Sequence, residues 1–266
     1  MATGEFESQV AMQQLIPDNV AKAVAVGPLD EDNTKSYFIV EFKDMHAKKP
    51  SPQMVAAVLS KMHQSSESPT GKYGFPVTTY KGYFLVNNDW CEKWEDWFAR
   101  EFGQTLQNYY SRRGEDAEFV GLFEDFSAKV IPRLLRPLET GGRSIKSTLC
   151  HTDLWHGNAA LDLETQECII FDPCCLYGHN EADLSFFRTE AYGWSKEYIE
   201  EYVKLVQPSE PQEDFDDRNA LYAMRNYIVS ATLWDHWLHM MDHVKDEMRR
   251  LIAKYPEGFA GFEEGA

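Results

Sequence analysis

Apolar and polar residues alternate along the chain with periods that change from one stretch to the next. Residues 5–15 are rich in helix formers and close at Pro17-Asp18. A short extended stretch, residues 21–26, ends at Gly27-Pro28, and residues 30–35 read as a polar turn. Residues 37–42 are an almost unbroken aromatic and β-branched run, which predicts a mostly buried strand. Ser51-Pro52 is a helix start, with Ser at the N-cap and Pro at the first helical position. Val55, Val58, Leu59 and Met62 then fall at i, i+3, i+4 and i+7, so this helix buries one stripe and ends in the polar segment 65–74. Trp90, Trp94, Trp97 and Phe98 repeat the spacing. Such an aromatic stripe packs a core or lines a groove, and core packing is the expectation here.

Residues 119–135 are helical in pattern again, ending near Pro137. The stretch 149–171 breaks it: two short β-like pieces, 160–163 and 168–171, flank polar turns. The tail, about 195–255, reads as three or four helices with a very acidic loop at 210–217. No internal repeat is evident. The expected order is a small part with strand character, then a largely helical body carrying a polar hairpin.

Composition narrows the function. The 266 residues hold 26 Lys and Arg against 43 Asp and Glu, a formal charge of −17. Nucleic-acid binding needs clustered cations for phosphate neutralisation, so it is not expected. No apolar run approaches the roughly 20 residues of a membrane span, so no membrane is expected as a partner. The start carries Glu5 and Glu7 and no basic n-region, unlike a secretory signal. Five cysteines with no CxxC pair argue against a disulfide framework or a structural zinc, which points to a reduced cytoplasmic protein.

The most informative stretch is His151-Thr152-Asp153-Leu154-Trp155-His156-Gly157-Asn158. Asp153 and Asn158 are 5 apart, and Asp172 follows 19 beyond Asp153, at the end of the apolar run Cys168-Ile169-Ile170-Phe171. An Asp, an Asn and a second Asp in this order suit phosphoryl transfer. One carboxylate takes the proton of an attacking hydroxyl, while an amide oxygen and the other carboxylate hold Mg²⁺ against nucleotide phosphates. The spacing matches the kinase catalytic loop H-R-D-x-x-x-x-N everywhere but at the Arg, where Thr152 stands, and Asp172-Pro173-Cys174 takes the place of D-F-G. Two other readings stay open: a structural loop in which Asp153 caps a turn, and a hydrolytic metal site built from His151, Asp153 and His156.

These residues resemble the fructosamine-3-kinase (ketosamine-3-kinase) family, fungal-type, within the aminoglycoside phosphotransferase-like kinases. The resemblance rests on His151 to Asn158 as written above and on Phe171-Asp172-Pro173-Cys174-Cys175-Leu176-Tyr177-Gly178-His179-Asn180-Glu181. Pro132-Arg133-Leu134-Leu135-Arg136-Pro137-Leu138, Gly142-Arg143-Ser144-Ile145-Lys146 and Lys72-Tyr73-Gly74-Phe75 extend it over nearly the whole chain. It implies an α+β, protein-kinase-like fold with a truncated N-terminal lobe, residues 1–45, and a largely helical C-terminal lobe, residues 46–266. The implied activity is ATP-dependent phosphorylation of the 3-hydroxyl of a ketosamine, on a glycated protein or a small amine. Carried over by position, Asp153 is the catalytic base, and Asn158 and Asp172 are the Mg²⁺ ligands. The backbone of Glu41 and Phe42 forms the hinge to adenine, and Glu5 is the helix carboxylate that normally pairs with the nucleotide-binding lysine. Trp155 stacks on the sugar or packs the loop, His179 faces the substrate, and Asp183 braces the catalytic loop. Cys174 and Cys175 are small buried residues.

The sequence departs from the family at two places. The family sets a Gly-rich loop and a strand lysine before the Glu-bearing helix, whereas Met1-Ala2-Thr3-Gly4 alone precede Glu5 here. The group usually has Gly where Thr152 stands, and a Cβ there crowds the loop if the backbone takes a positive φ. The readings that follow are an active ketosamine kinase, a pseudokinase-like protein that binds the sugar with impaired transfer, and a kinase of this fold acting on another small hydroxyl compound.

Overall fold

A computed structural model describes residues 1–30, 32–46 and 48–263. The chain opens with helix α1 (Ala2–Leu15), strands β1 (Ala23–Leu29), β2 (Asp32–Val40) and β3 (Met45–His46), helix α2 (Pro52–Ser65), and strands β4 (Thr79–Lys81) and β5 (Phe84–Val86). Helices α3 (Trp94–Arg113), α4 (Ala117–Asp125) and α5 (Ile131–Leu135) follow. Next come β6 (Thr148–Cys150), β7 (Ala159–Asp162), β8 (Cys168–Ile170), β9 (Leu176–Gly178) and α6 (Glu197–Leu205). The chain finishes with α7 (Phe215–Leu233), α8 (Met240–Lys254) and α9 (Gly258–Glu263).

These elements form two compact units that alternate along the chain: Met1–Trp90 with Lys146–Gln207, and Cys91–Ile145 with Pro208–Ala266. In the first unit the sheets are small and antiparallel: β1-β2, β3-β7-β8, β4-β5 and β6-β9. Helix α2 forms as its sequence predicts. Ser51 Oγ accepts from the Met54 N–H at 3.3 Å, and Val55, Val58, Leu59 and Met62 are all buried. The β7-β8 hairpin also matches its pattern, with Ala159 opposite Ile170 and Leu161 opposite Cys168.

The second unit is helical. Trp94, Trp97 and Phe98 of α3 are buried, the two indoles stack at 5.2 Å, and Trp94 Nε1 donates to the Tyr222 hydroxyl of α7 at 2.9 Å. This is the core packing expected of the stripe. Trp90 does not share it; it precedes the helix and stacks on Tyr177 in the first unit. The long helix read over 119–135 is α4, a π-helical turn at Phe126–Val130, and α5. Pro132 has no N–H to give to the fourth carbonyl back, so the helical ladder widens just before it.

Two expectations fail in the first hairpin. Residues 30–35 are not one long turn, because β2 begins at Asp32 and pairs it with Leu29; Glu31 lies outside the described residues. The strand over 37–42 is not buried: Tyr37, Ile39 and Val40 are exposed, and Phe42 is 86% exposed. Among the described residues β2 has one strand partner, β1, and packs its Phe38 edge-on against Phe6 of α1. A strand covered on one side leaves half its apolar residues facing outward, whatever their β propensity. Gly27-Pro28, read as the end of the first strand, lies inside β1, where an edge strand tolerates the missing N–H.

Candidate active site

The loop 151–158 joins β6 to β7, and the segment 171–175 joins β8 to β9. Strand pairing alone brings them together. Because Ala159 faces Ile170, Asn158 lies across from Phe171, and the Phe171 N–H donates to the Asn158 carbonyl at 3.0 Å. Asp172 is the next residue, so the hairpin register places it beside Asn158.

Side chains then fix the loop. Asn158 Nδ2 donates to the Asp153 carbonyl at 2.8 Å and to the Asp172 carbonyl at 3.5 Å. That orientation leaves Oδ1 as the end of the amide able to ligate a cation. His151 is fully buried, and its ring spans the same two segments. Nε2 lies 3.0 Å from the Phe171 carbonyl, and Nδ1 receives the Asp153 N–H at 3.2 Å. A ring that accepts at Nδ1 donates at Nε2, so the imidazole is neutral. Burial pushes its pKa below the usual 6.5, and the neighbouring carboxylates of Asp183 and Asp153 offset this only in part.

Asp183 holds the loop from beneath, as its position in the sequence led us to expect. Its Oδ2 accepts the His151 N–H at 2.7 Å and its Oδ1 the Thr152 N–H at 2.6 Å. His63 Nε2 lies 3.0 Å from Oδ2, and His63 Nδ1 lies 2.7 Å from the Tyr202 hydroxyl, which accepts from Asn180 Nδ2 at 2.9 Å. Burial pushes the Asp183 pKa upward, but His63, His151 and the Thr152 N–H outweigh it and hold the carboxyl below its ordinary value. His63 and Tyr202 were missed in the sequence. The available signal was a histidine, His63, directly after Met62 on the apolar stripe of α2.

The predicted residues fall into three groups. Asp153, Asn158 and Asp172 are brought together, with Asn158 buried, Asp153 half-buried and Asp172 exposed. Asp172 has φ 56°, a left-handed backbone uncommon for a residue other than Gly. Glu5 is electrostatically within reach of Asp172. Burial first, and then the negative charge of Asp172, push its pKa above the ordinary value, with the N-terminal ammonium opposing. Trp155 is 40% exposed beside Asp153; its ring lies over Gly157, where a Cβ would clash with it, and meets His156 edge-on at 5.0 Å.

Other placements differ from expectation. His179 does not face a substrate: it is fully buried, with Nε2 3.9 Å from Glu181 Oε1. The position follows β9 directly, and β9 is itself interior. The Glu41 N–H already donates to the Lys22 carbonyl at 2.8 Å, so an adenine hinge would rest on the Glu41 carbonyl or on Phe42. The hydrolytic metal set fails, because both ring nitrogens of His151 are engaged and His156 Nδ1 lies 2.9 Å from the Tyr192 carbonyl.

The two expected ligands, Asn158 and Asp172, offer oxygen donors only, an amide and a carboxylate, which fits a hard ion such as Mg²⁺. Among the described residues one tight group of classical ligand types exists, His63, Cys150 and Asp183. It suits no cation. The Asp183 carboxylate is committed to His63 and two loop N–H groups, and burial pushes the Cys150 thiol well up. All five cysteines are free, and Cys174 and Cys175 are buried as expected.

Comparison with known proteins identifies the family. A family model described as fructosamine kinase matches residues 1–254. Ketosamine-3-kinase of Mus musculus is 29% identical over 261 residues, covering 90% of this chain and 78% of that protein. The chloroplastic protein-ribulosamine 3-kinase of Oryza sativa subsp. indica is 30% identical over 221 residues, covering 82% of this chain. This chain spans 60% of that rice protein's length. Among solved structures, a provisionally assigned fructosamine-3-kinase from Thermobifida fusca YX-ER1 superposes with a TM-score of 0.73 at 18% identity, over 94% of this chain and 80% of that one. A thermostable mutant of aminoglycoside phosphotransferase APH(4)-Ia gives 0.60 at 10% identity, over 94% and 83%. At such identities the structural likeness fixes the fold, which is the protein-kinase-like α+β fold expected above. No helix among the described residues is long and apolar enough to cross a membrane.

Proposed function

The chain belongs to the fructosamine kinase family, and from this premise we propose that it transfers the γ-phosphoryl group of ATP to the 3-hydroxyl of a ketosamine, on a glycated lysine or a small amine. The observation that carries the reading is the convergence of Asp153, Asn158 and Asp172, held by His151 and by the Asn158 amide.

In this reading the sugar oxygen forms a bond to the γ-phosphorus while the bond to the β,γ-bridging oxygen breaks, and ADP leaves. The hydroxyl proton passes to the Asp153 carboxylate. Asp153 is aimed by its backbone: its N–H is held by His151 and its carbonyl by Asn158. Asn158 Oδ1 and the Asp172 carboxylate would hold Mg²⁺, whose positive charge offsets that of the phosphates when bound. Trp155, two residues after the base and exposed, offers its indole as a platform for the apolar face of a sugar. Most of the acceleration comes from positioning and charge stabilisation, without a covalent intermediate. Residues 1–45 contribute to the nucleotide-covering lobe and hinge.

The test is incubation with ATP, Mg²⁺ and a ribulosamine or fructosamine, followed by measurement of sugar phosphate. Turnover lost in Asp153→Ala supports the reading; turnover no higher than in that variant overturns it.

A further inference from the structure

Thr152 has φ 62° and is buried. A β-branched residue is among the least suited to this region, where its Cβ approaches the following carbonyl oxygen. The loop's anchoring imposes the conformation. The N–H groups of His151 and Thr152 both reach the Asp183 carboxylate, one to each oxygen. Glycine would take the same backbone without steric penalty.

Threonine brings what glycine lacks. Its hydroxyl donates to the Cys174 carbonyl, while the Cys174 N–H donates to the His151 carbonyl at 3.0 Å. Two consecutive residues of the loop therefore grip both ends of one residue, two positions beyond Asp172. Asp172 is itself held in a left-handed conformation. The segment that bears it is tied to the Asp153 loop by a side chain as well as by backbone.

We propose that Thr152 is a positioning residue, whose hydroxyl fixes the separation of the segments carrying Asp153 and Asp172. The inference rests on the proposed function for the meaning of those two carboxylates, and assigns to the chain's departure from glycine a role of its own. Thr152 acts through Cys174.

Three variants separate hydroxyl from shape. Thr152→Ser keeps the hydroxyl and sheds the methyl; Thr152→Gly removes both; Thr152→Val keeps the branch without the donor. The serine variant is expected to match wild-type kcat and Mg²⁺ response. The glycine variant is expected to melt at or above wild type, because the strained conformation no longer opposes folding. Its kcat should nonetheless fall about tenfold, well within what small misplacement of a reacting group costs, and its Mg²⁺ half-saturation should rise. The valine variant should lose activity similarly and also melt lower. A purely structural role would move melting and activity together. Wild-type kcat and Mg²⁺ response in Thr152→Gly would overturn the inference.

Amide hydrogen exchange gives a readout independent of turnover. Peptides covering 171–177 should exchange faster in the glycine and valine variants, by about tenfold, and at the wild-type rate in the serine variant. Equal protection in all four proteins refutes the hydroxyl tie. A wild-type chain that transfers no phosphoryl group counts against the proposed function, and the exchange comparison still decides this inference.

Discussion

The imidazole of His63 meets the carboxylate of Asp183 at 3.0 Å, with both side chains buried and the two residues 120 positions apart in sequence. Through this pair α2 supports a loop it does not belong to, because the same carboxylate receives the N–H groups of His151 and Thr152. Removing one member of a buried, hydrogen-bonded charge leaves the other without compensation. Asp183→Ala should therefore destabilise by about 3 kcal/mol or more, and His63→Ala by about 1–3 kcal/mol. Urea unfolding measures both. Losses well under 1 kcal/mol in the two variants would mean that the pair does not brace the loop.

Asp153 and Asp172 are given different roles, and binding separates them from chemistry. Asp153→Ala should retain Mg²⁺-dependent binding of a non-hydrolysable ATP analogue while kcat falls about 10²–10⁴-fold, the usual contribution of a general base. Asp172→Ala should lose that binding. Calorimetric titration of each variant decides the matter; equal loss of binding in both shows the roles to be misassigned.

Gly157 lies under the Trp155 ring, where a Cβ has no room. Gly157→Ala must push the indole from its place. If that indole is the sugar platform, KM for the ketosamine should rise about tenfold, equivalent to about 1.4 kcal/mol, with ATP binding unchanged. Trp155→Ala should do the same. Unaltered KM in both variants removes Trp155 from the substrate site.

His151 is buried and neutral, with its pKa held below 6.5. The unfolded chain, whose histidine titrates near about 6.5, binds the proton more readily than the native one. Stability from this group is thus complete above about pH 6.5 and declines as pH falls from there toward the depressed native value. Wild-type stability should fall between pH 7.5 and 5.5, and His151→Gln should show a shallower decline. The comparison is a series of denaturant midpoints against pH. Identical slopes would mean that His151 is not the titrating group.

Much of the site was legible because it is local in sequence. The Asp153, Asn158 and Asp172 spacing depends only on a short hairpin, and Cys168-Ile169-Ile170 declares the strand that sets its register. Helix α2 was legible for the same reason, with a cap and a stripe inside one window. What escaped depends on distant partners. Nothing near His63 announces that Asp183 and Tyr202 will meet it. The run at residues 37–42 has the composition of a buried strand, but burial is decided by what packs on it, and here β1 and α1 leave one side bare. His179 went wrong in the opposite sense. A polar residue shortly after Asp172-Pro173-Cys174 suggested contact with substrate, whereas the fold sends it inward. The run of 3-10 turns over Asn180–Arg188 was likewise unseen, since its residues follow neither the helical nor the strand period.

The alternation of the two compact units along the chain also orders events during synthesis on the ribosome. The unit bearing the 151–158 loop needs both Met1–Trp90 and Lys146–Gln207, with the other unit's first segment made between them. Helix α2 must therefore wait, with His63 uncovered, until Asp183 has emerged from the exit tunnel. Neither unit corresponds to one uninterrupted stretch of message, so a fragment cut after residue 145 carries the support for a loop that it does not contain.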